Sequence, residues 1–203
     1  MKIICVGWNY PLHNKEMDNS FIPNEPTIFL KPESALLKDG KPFFIPDFSD
    51  NIEYETEVVV KIGKLGKNIS EKFAHRYYDA ITVGIDFTAR DLQTKLRSCG
   101  QPWEISKGFD SSAVVGSFIP CQSLDKTNIN FHLDINQQNV QQGDTKDMIF
   151  SVDKIIEYVS RFYTLKIGDL IFTGTPAGVG SVKINDHLEG YIGDEKLLDF
   201  YVK

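Results

Sequence analysis

The chain has 203 residues, of which 41% are hydrophobic and 25% are charged, and its formal net charge at pH 7 is −6. A chain of this length can bury roughly 70% of the surface that it exposes when unfolded, so we expect one domain over residues 1–203. The acidic balance argues against a nucleic-acid partner, because phosphate binding requires a basic surface.

The first residues and the cysteines bear on location. The opening, MKIICVGWNY, has an apolar run of only about four residues, which is typical of a first strand and not of a signal peptide. No run of roughly 18 apolar residues follows, so no membrane-spanning helix and no membrane partner are predicted. Cys5, Cys99 and Cys121 are widely spaced and form no CxxC pattern, which predicts reduced, mostly buried thiols and a cytoplasmic protein.

Strand signals outnumber helix signals. Runs rich in β-branched and aromatic residues predict strands at 2–6, 27–31, 42–45, 54–62, 81–87, 113–119, 129–135, 169–173 and 196–202. Helices are predicted after Ser70 (SEKFAHRYYDA), in TARDLQTKLRSCG up to Gly100, and after Ser151 (SVDKIIEYVSRFY). Strict alternation of strands and helices is absent, which favours a mixed, strand-rich α+β fold with antiparallel or mixed sheets.

One predicted strand, in NIEYETEVVVKIG, carries Glu53, Glu55 and Glu57 on a single face. Neighbouring carboxylates there lie roughly 6–7 Å apart, and each such pair costs on the order of 2 kcal/mol. A solvated outer face would account for one such pair, because acidic side chains discourage edge pairing. However, valines follow at once, and Asp86 ends another apolar strand. Carboxylates gathered in this way favour a site for Mg²⁺ or Mn²⁺, which prefer oxygen ligands.

A second candidate is the pair His13 and Glu16 in HNKEM. On a helical turn this spacing brings imidazole and carboxylate together, so that Glu16 can orient His13 as a general base. The alternative is an ordinary surface pair. His75 in a predicted helix, His132 in a strand and His187 in a polar turn show no metal-ligand spacing.

Two further segments leave their roles open. FTGTPAGVG (172–180) lacks both the GK[ST] ending and the GxGxxG spacing of phosphate loops, so a turn after a strand is predicted. Thr175 and the backbone amides of this turn could bind a carboxylate. Lys107 in PWEISKGFD is isolated, and it is either a surface lysine or a buried partner of an anionic ligand.

Seven segments together resemble the fumarylacetoacetate hydrolase family, in its order and spacing: NYPLHNKEM, PTIFLKPESAL, EYETEVVVKIG, GIDFTARDLQ, GQPWEISKGFD, GDTKDMIFSV and GDLIFTGTPAGVG. The resemblance is to the short, single-domain members, the acylpyruvate hydrolase and oxaloacetate decarboxylase group. It implies the family's C-terminal-domain fold, a β-roll or sandwich with peripheral helices, and a homodimer.

The resemblance also implies roles for particular residues. The family's metal ligands correspond to Glu55, Glu57 and Asp86, and its lid dyad corresponds to His13 and Glu16. The ion implied is Mg²⁺, with Mn²⁺ as an alternative, and three protein ligands leave roughly three octahedral positions for a 2-oxo acid.

The family's contacts to the oxo acid correspond to Arg90, Gln93, Lys107 and Thr175, and Lys107 is counted with the dyad among the catalytic residues. Glu53 lies outside both sets, so its role stays open. Trp8 stands where members often carry an arginine, which puts the distal part of the substrate in question.

The implied activity is Mg²⁺-dependent hydrolysis of the C–C bond of acylpyruvates or related 2,4-dioxo acids. The same site can also serve decarboxylation or tautomerisation of oxaloacetate. One alternative is an isomerase of the 2-hydroxyhepta-2,4-diene-1,7-dioate type on the same metal platform. The other is a noncatalytic module that binds a metal or a carboxylate, which would have no use for His13 and Glu16.

Overall fold

The computed structural model describes residues 1–17, 22–121 and 128–203. The strands in these ranges are β1 (Ile3–Gly7), β2 (Thr27–Lys31), β3 (Leu36–Leu37), β4 (Ile52–Tyr54), β5 (Thr56–Ile62), β6 (Tyr78–Asp86), β7 (Thr88–Ala89), β8 (Ala113–Val115), β9 (Ile119–Pro120), β10 (Asn130–Ile135), β11 (Gln138–Asp144), β12 (Leu170–Phe172), β13 (Gly180–Ser181), β14 (His187–Ile192) and β15 (Glu195–Tyr201). The α-helices there are α1 (Pro11–Glu16), α2 (Glu71–Ala74), α3 (Arg90–Ser98), α4 (Glu104–Lys107) and α5 (Val152–Phe162).

These strands form three sheets. The largest has the order β2-β1-β12-β5-β6-β8-β3, with β9 added along β6. It is mixed, because β1 pairs with β12 and β3 pairs with β8 in parallel while its other pairs are antiparallel. A four-stranded sheet, β11-β10-β14-β15, packs against β5 and β6, and β4 lies between β13 and β7 in a small third sheet. The predicted strand-rich α+β fold is confirmed.

Strand β5 is buried on both faces, as its run of valines predicts. Val58 and Val60 face the larger hydrophobic cluster, and Val59 points the other way into a smaller one. All three are at most 1% exposed. A strand with no solvated face needs a layer on each side, and the four-stranded sheet supplies one of them.

Two of the three predicted helices are confirmed. Helix α5 begins after Ser151, whose hydroxyl accepts a hydrogen bond from Lys154 N at 3.2 Å, as an N-cap does. Helix α3 is followed by Gly100, whose φ of +64° is readily adopted only by a residue without a Cβ.

The long helix predicted after Ser70 is wrong. Helix α2 is a single turn, and Tyr78, which lies within the predicted helix, begins β6 and pairs with Ile62. Gly63 N also donates to Tyr77 O at 2.9 Å. The end of this segment is therefore a strand and not a helix. Pairing with β5 satisfies the backbone N–H and C=O groups that helical hydrogen bonds would otherwise satisfy.

Three predicted strands also need correction. Segment 42–45 forms only a bridge at Phe43, because prolines at its start and just after its end cannot donate to a ladder. Segment 113–119 is split into β8 and β9, because Gly116 N and Ser117 N bond to different strands. Segment 54–62 is interrupted at Glu55, which separates β4 from β5 and places them in different sheets.

The sequence patterns did not predict two strands of the four-stranded sheet, β11 and β14. Strand β11 has the polar sequence QNVQQGD, which lacks the apolar alternation of a strand signal. Strand β14 begins at His187, which was expected in a turn. Both strands are stabilised by pairing with β10. For β14 this partner is distant in the sequence.

The structure also bears on the expectations for the cysteines and for membrane-spanning helices. Cys5, Cys99 and Cys121 form no disulfide, and the first and last of them are buried while Cys99 is exposed. Within the described ranges, no helix combines the length and the apolar character that a membrane crossing requires.

The close packing of β6 generates a test of the fold. A Cβ at Gly84 would lie 2.7 Å from both Val114 O and Val59 Cγ2, so Gly84→Ala must push strands apart. Overpacking of this kind costs about 1–3 kcal/mol, and we expect the melting temperature to fall by at least about 3 °C. The matched control is Gly7→Ala in β1 of the same sheet, where the new Cβ meets Trp103 at an ordinary 3.5 Å. Equal melting temperatures of the two variants would contradict this account of β6.

Candidate functional site

Three carboxylates meet where β4, β5 and β6 adjoin. Glu55 occupies the one-residue interruption between β4 and β5, Glu57 lies in β5, and Asp86 ends β6. The antiparallel register brings the strands together here, with Asp86 N donating to Glu55 O at 2.8 Å. One oxygen of each carboxylate lies within 4.8 Å of the others, and each residue is at most 5% exposed.

The three residues fit a hard divalent cation. Octahedral Mg²⁺ holds its oxygens at about 2.1 Å, which places them about 3 Å apart on neighbouring positions and about 4.2 Å apart on opposite ones. One oxygen of each of Glu55, Glu57 and Asp86 lies within 4.8 Å of the others, which is close to these separations. Their chemistry fits as well, because all three are carboxylates and Mg²⁺ and Mn²⁺ select oxygen donors.

The charges of the three carboxylates are compensated unequally. Burial, with the nearby charges of Asp86 and Glu55, raises the pKa of Glu57 well above its ordinary value. Burial also acts to raise the pKa of Glu55, but Lys107 and Arg90 outweigh it and hold that pKa below its ordinary value. No cation in the described ranges pairs with Glu57, which accepts a hydrogen bond from Gly174 N at 2.7 Å. The uncompensated charge of the site therefore lies on Glu57.

Two buried lysines supply part of the compensation. Lys107 Nζ lies 2.6 Å from Glu55 Oε2 and 3.2 Å from Asp86 Oδ2, so its surface alternative is wrong. Burial acts to lower the pKa of Lys107, but Asp86 and Glu55 outweigh it and raise that pKa. Lys31, at the end of β2, lies 2.7 Å from Asp86 Oδ1 and donates to Ser112 O. The sequence reasoning missed Lys31, although a lysine that closes an apolar strand was a usable signal.

Arg90 explains the third glutamate of the acidic segment. Its guanidinium donates to Glu53 Oε2, Glu55 Oε1 and Gln93 Oε1, each at 2.6 Å. Burial acts to lower the pKa of Arg90, but Glu55 and Glu53 outweigh it and raise that pKa. Glu53 thus holds the arginine against the site and does not belong to the cluster of three carboxylates.

Thr175 lies in the turn after β12 and is fixed by two partners. Its hydroxyl donates to Thr56 O at 2.9 Å and accepts from Gln141 Nε2 at 2.8 Å. Gln141 Oε1 in turn accepts from Thr56 N at 2.9 Å. This buried glutamine therefore ties the turn to the start of β5, beside Glu55. The sequence reasoning missed it because the polar run of β11 resembles a loop.

His13 and Glu16 lie on α1, as their spacing predicts. His13 Nδ1 is 3.0 Å from Glu16 Oε2, and Gly178 N donates to Glu16 Oε1 at 2.9 Å. His13 is 6% exposed, so the surface-pair alternative is wrong. One carboxylate therefore connects the histidine to the turn that carries Thr175.

A cavity that is partly open to solvent brings these groups together. Its floor contains the carboxylates and the candidate substrate contacts: Glu55, Glu57, Asp86, Arg90, Gln93, Lys107 and Thr175. His13 and the aromatic side chains of Trp8, Phe29 and Trp103 line the other side. All the candidate site residues except Glu16 border this cavity, and Glu16 contacts it through His13.

A second acidic group lies elsewhere and differs in character. His187, Glu189 and Asp199 also have ligand atoms within 4.8 Å of one another, but on the partly exposed smaller sheet. Lys196 Nζ lies 2.8 Å from Glu189 and 2.7 Å from Asp199, so a cation of the chain already bridges the two carboxylates.

The charge on Glu57 leads to a prediction about stability. A carboxylate whose pKa is raised by folding destabilises the native state above its unfolded pKa near 4.3, increasingly as pH rises towards the folded value. Glu57→Gln removes this penalty, so the metal-free variant should melt at least about 3 °C above the wild type at pH 7. Its melting temperature should also fall less from pH 5 to pH 8.

The same variant tests the cation site. Mn²⁺ should raise the melting temperature of the wild type, because an ion that binds only the folded state stabilises it, and Glu57→Gln should lose most of this increase. Glu189→Gln, in the other acidic group, is the control and should keep it. If Mn²⁺ raised the melting temperature of all three proteins by the same amount, Glu57 would not be a ligand of the cation.

Comparison with known proteins agrees with the geometry. Residues 2–199 match the family described as fumarylacetoacetate (FAA) hydrolase C-terminal. The curated protein "Oxaloacetate tautomerase FAHD1, mitochondrial" from Mus musculus is 42% identical over 202 residues, which cover 99% of this chain and 91% of the relative.

Solved structures give the same result. Fumarylpyruvate hydrolase from Pseudomonas aeruginosa, crystallised with Mn²⁺ and pyruvate, has a TM-score of 0.93 and 35% identity, covering 100% of this chain and 89% of that chain. The 2-hydroxyhepta-2,4-diene-1,7-dioate isomerase from Mycobacterium marinum has a TM-score of 0.85 and 33% identity, covering 99% of this chain and 73% of that chain. These relatives are enzymes that bear the names of a tautomerase, a hydrolase and an isomerase. With the family match over almost the whole length, the chain belongs to the fumarylacetoacetate hydrolase family.

Proposed function

We propose that this chain is a metal-dependent enzyme of small 2-oxo acids that interconverts the keto and enol forms of oxaloacetate. The observation that carries the proposal is the buried cluster of Glu55, Glu57 and Asp86, which shares one cavity with the His13–Glu16 pair. The name and similarity of the mouse relative support the choice of oxaloacetate. Hydrolysis of acylpyruvates at the same site is the second candidate, and the Pseudomonas neighbour supports it.

Glu55, Glu57 and Asp86 would hold the cation, and we propose Mg²⁺ as the ion, with Mn²⁺ able to replace it. When bound, such a cation supplies Lewis-acid stabilisation of negative charge on the keto oxygen of the substrate. Lys107 and Lys31 form ion pairs with Glu55 and Asp86 and orient these carboxylates.

The floor of the cavity retains donors for the carboxylate of the 2-oxo acid. Arg90 has five N–H groups and uses three of them on Glu53, Glu55 and Gln93. Gln93 accepts from Arg90 through its carbonyl oxygen, which leaves its NH₂ group for the substrate. Lys107 keeps one of its three ammonium donors. Because the hydroxyl proton of Thr175 is donated to a backbone carbonyl, this residue would contribute its backbone N–H instead.

His13 moves the proton. Glu16 accepts the Nδ1–H of the imidazole, which leaves Nε2 with a lone pair as the basic nitrogen. In tautomerisation, Nε2 removes a proton from C3 of the keto acid, and the enolate oxygen takes up a proton to give the enol. In the reverse direction the enol oxygen loses its proton and Nε2 returns a proton to C3. In hydrolysis of an acylpyruvate, the same nitrogen takes a proton from the water that attacks the distal carbonyl. The C–C bond then breaks to give a carboxylic acid and the enolate of pyruvate.

Other outcomes can be separated by assay. A 2-hydroxyhepta-2,4-diene-1,7-dioate-type isomerase would use the same floor and base on a longer substrate. A noncatalytic binding module would bind Mn²⁺ and a 2-oxo acid but turn over neither. Purified protein should be assayed with and without Mg²⁺ for tautomerisation and decarboxylation of oxaloacetate and for pyruvate release from acetylpyruvate. A homodimer and a cytoplasmic location are further parts of the proposal.

Replacement of His13 should separate reactions that need a base from one that does not. His13→Ala should lose about 10²- to 10⁴-fold in oxaloacetate tautomerisation and in any acetylpyruvate cleavage. Decarboxylation of oxaloacetate depends chiefly on the cation and should keep a larger share of its rate. Glu16→Gln should show the same pattern more mildly, and His75→Ala, an exposed histidine, is the control. If all rates fall by one factor while Mn²⁺ affinity holds, His13 serves closure or binding and is not the base.

Gln93 offers a test of the substrate contacts that leaves the carboxylate cluster intact, because it contacts Arg90 and none of the three acidic residues. Gln93→Leu should weaken binding of oxalate, a mimic of the enolate of a 2-oxo acid, by about tenfold or more, since a hydrogen bond to a charged group is lost. Mn²⁺ affinity should be unchanged, and Gln138→Leu on the exposed part of β11 is the control. Calorimetry of both ligands checks this, and unaltered oxalate affinity would place Gln93 outside the site.

A further inference from the structure

The charged residues at the floor of the cavity balance one substrate carboxylate and no more. Four acidic side chains at or next to this floor, Glu53, Glu55, Glu57 and Asp86, lie among three basic ones, Lys31, Arg90 and Lys107. Glu53 and Lys31 do not line the cavity but pair with Arg90 and Asp86. With all seven ionised, a divalent cation leaves the group with a single net positive charge. The 2-oxo acid end of a substrate uses that charge, so any second carboxylate needs another cation.

The aromatic part of the lining, Trp8, Phe29 and Trp103, adds no further cation, because Lys107, whose Nζ lies 5.4 Å from the centroid of the Phe29 ring, is already counted above. The rings of Trp8 and Trp103 are in edge contact at 6.1 Å and those of Phe29 and Trp103 at 5.9 Å. A carboxylate desolvated against this aromatic wall would be strongly disfavoured. His13 also faces the cavity, but it must stay neutral to accept a proton. A second carboxylate must therefore extend to the rim of the cavity.

Arg97 lies on the side chain of Trp8, which lines the cavity. Its guanidinium carbon is 4.9 Å from the ring centroid of Trp8, at cation–π distance, in the last turn of α3. The side chain is exposed, and it forms no salt bridge with any residue of the described ranges. A guanidinium held flat on an aromatic ring keeps its N–H groups free for a planar carboxylate.

Trp8 is itself held in place, so that it can position Arg97. Its backbone has a φ of +63°, which is uncommon for a residue with a side chain. Asn14 Nδ2 donates to Trp8 O at 3.2 Å, and the indole stacks on His13 with the ring centroids 6.3 Å apart. The aromatic ring thus connects the cavity lining to a cation that has no ion-pair partner among the residues that the structure describes.

We propose that Arg97 is a specificity residue that binds the second carboxylate of a dicarboxylic 2-oxo acid such as oxaloacetate. The inference rests on the proposed function, because it requires the 2-oxo acid end to lie on the carboxylate cluster. The substrate class that follows is a short 2-oxo acid with a carboxylate at each end. A 2-oxo acid with an apolar distal end would bind at the floor and leave Arg97 unused.

The test compares two ligands that differ at the distal end. Oxaloacetate, freshly dissolved, and 2-oxobutanoate, in which a methyl group replaces the distal carboxylate, are titrated into Mn²⁺-loaded protein. Arg97→Gln should raise the Kd of oxaloacetate about three- to tenfold, as expected for one exposed charged contact, and leave that of 2-oxobutanoate unchanged. Arg97→Lys, which keeps the positive charge, should raise the Kd of oxaloacetate by a smaller factor. Added salt should weaken oxaloacetate binding more in the wild type than in Arg97→Gln.

The control is Arg76→Gln, which removes another exposed arginine that stacks on an aromatic ring. The guanidinium carbon of Arg76 lies 5.0 Å from the centroid of the Phe73 ring, and this variant should change neither Kd. An equal loss for both ligands would show that Arg97 only supports the aromatic wall, and no loss for oxaloacetate would also overturn the proposal. Since binding needs no turnover, a protein that fails every activity assay would refute the proposed function without deciding the role of Arg97.

Discussion

Three carboxylates whose oxygens lie within 4.8 Å of one another, almost without access to water, repel each other far more strongly than they would at the surface. Lys31, Lys107 and Arg90 offset the charge of two of them, yet none of these cations pairs with Glu57. The surrounding structure is arranged around this imbalance. A chain selected for stability alone would have replaced the residual charge, whereas a divalent cation turns it into affinity.

The sheets make this arrangement possible. The interruption at Glu55 lets one chain segment leave the third sheet and enter the largest one while its acidic residues stay beside the end of β6. The compensating cations come from β2 and from α3 and α4, and β2 lies far from these two helices along the sequence. The strands that carry Glu57 and Asp86, β5 and β6, are buried along almost their whole length, and dense packing around them limits how far the carboxylates can move apart.

The second half of the site is held from the other side. Glu16 joins His13 to Gly178, and Gln141 joins Thr175 to the start of β5. The proposed base and the proposed cation ligands are thus connected through one turn, 174–180. The aromatic wall above them restricts water, which strengthens electrostatic interactions inside the cavity, and it leaves recognition of a distal charge to the rim.

The sequence by itself determined the strand-rich class, the buried β5, helices α3 and α5, and most of the site. Alternating glutamates, an aspartate at a strand end and a His–Glu pair three residues apart are local patterns whose physical cause is local. Only the tertiary structure decided that Glu53 binds Arg90, that Lys107 and Lys31 are buried partners of the cluster, and that Tyr78 starts a strand. It alone also revealed Gln141 and Arg97. These outcomes depend on contacts between residues distant in sequence, where pairing and charge compensation override local propensity.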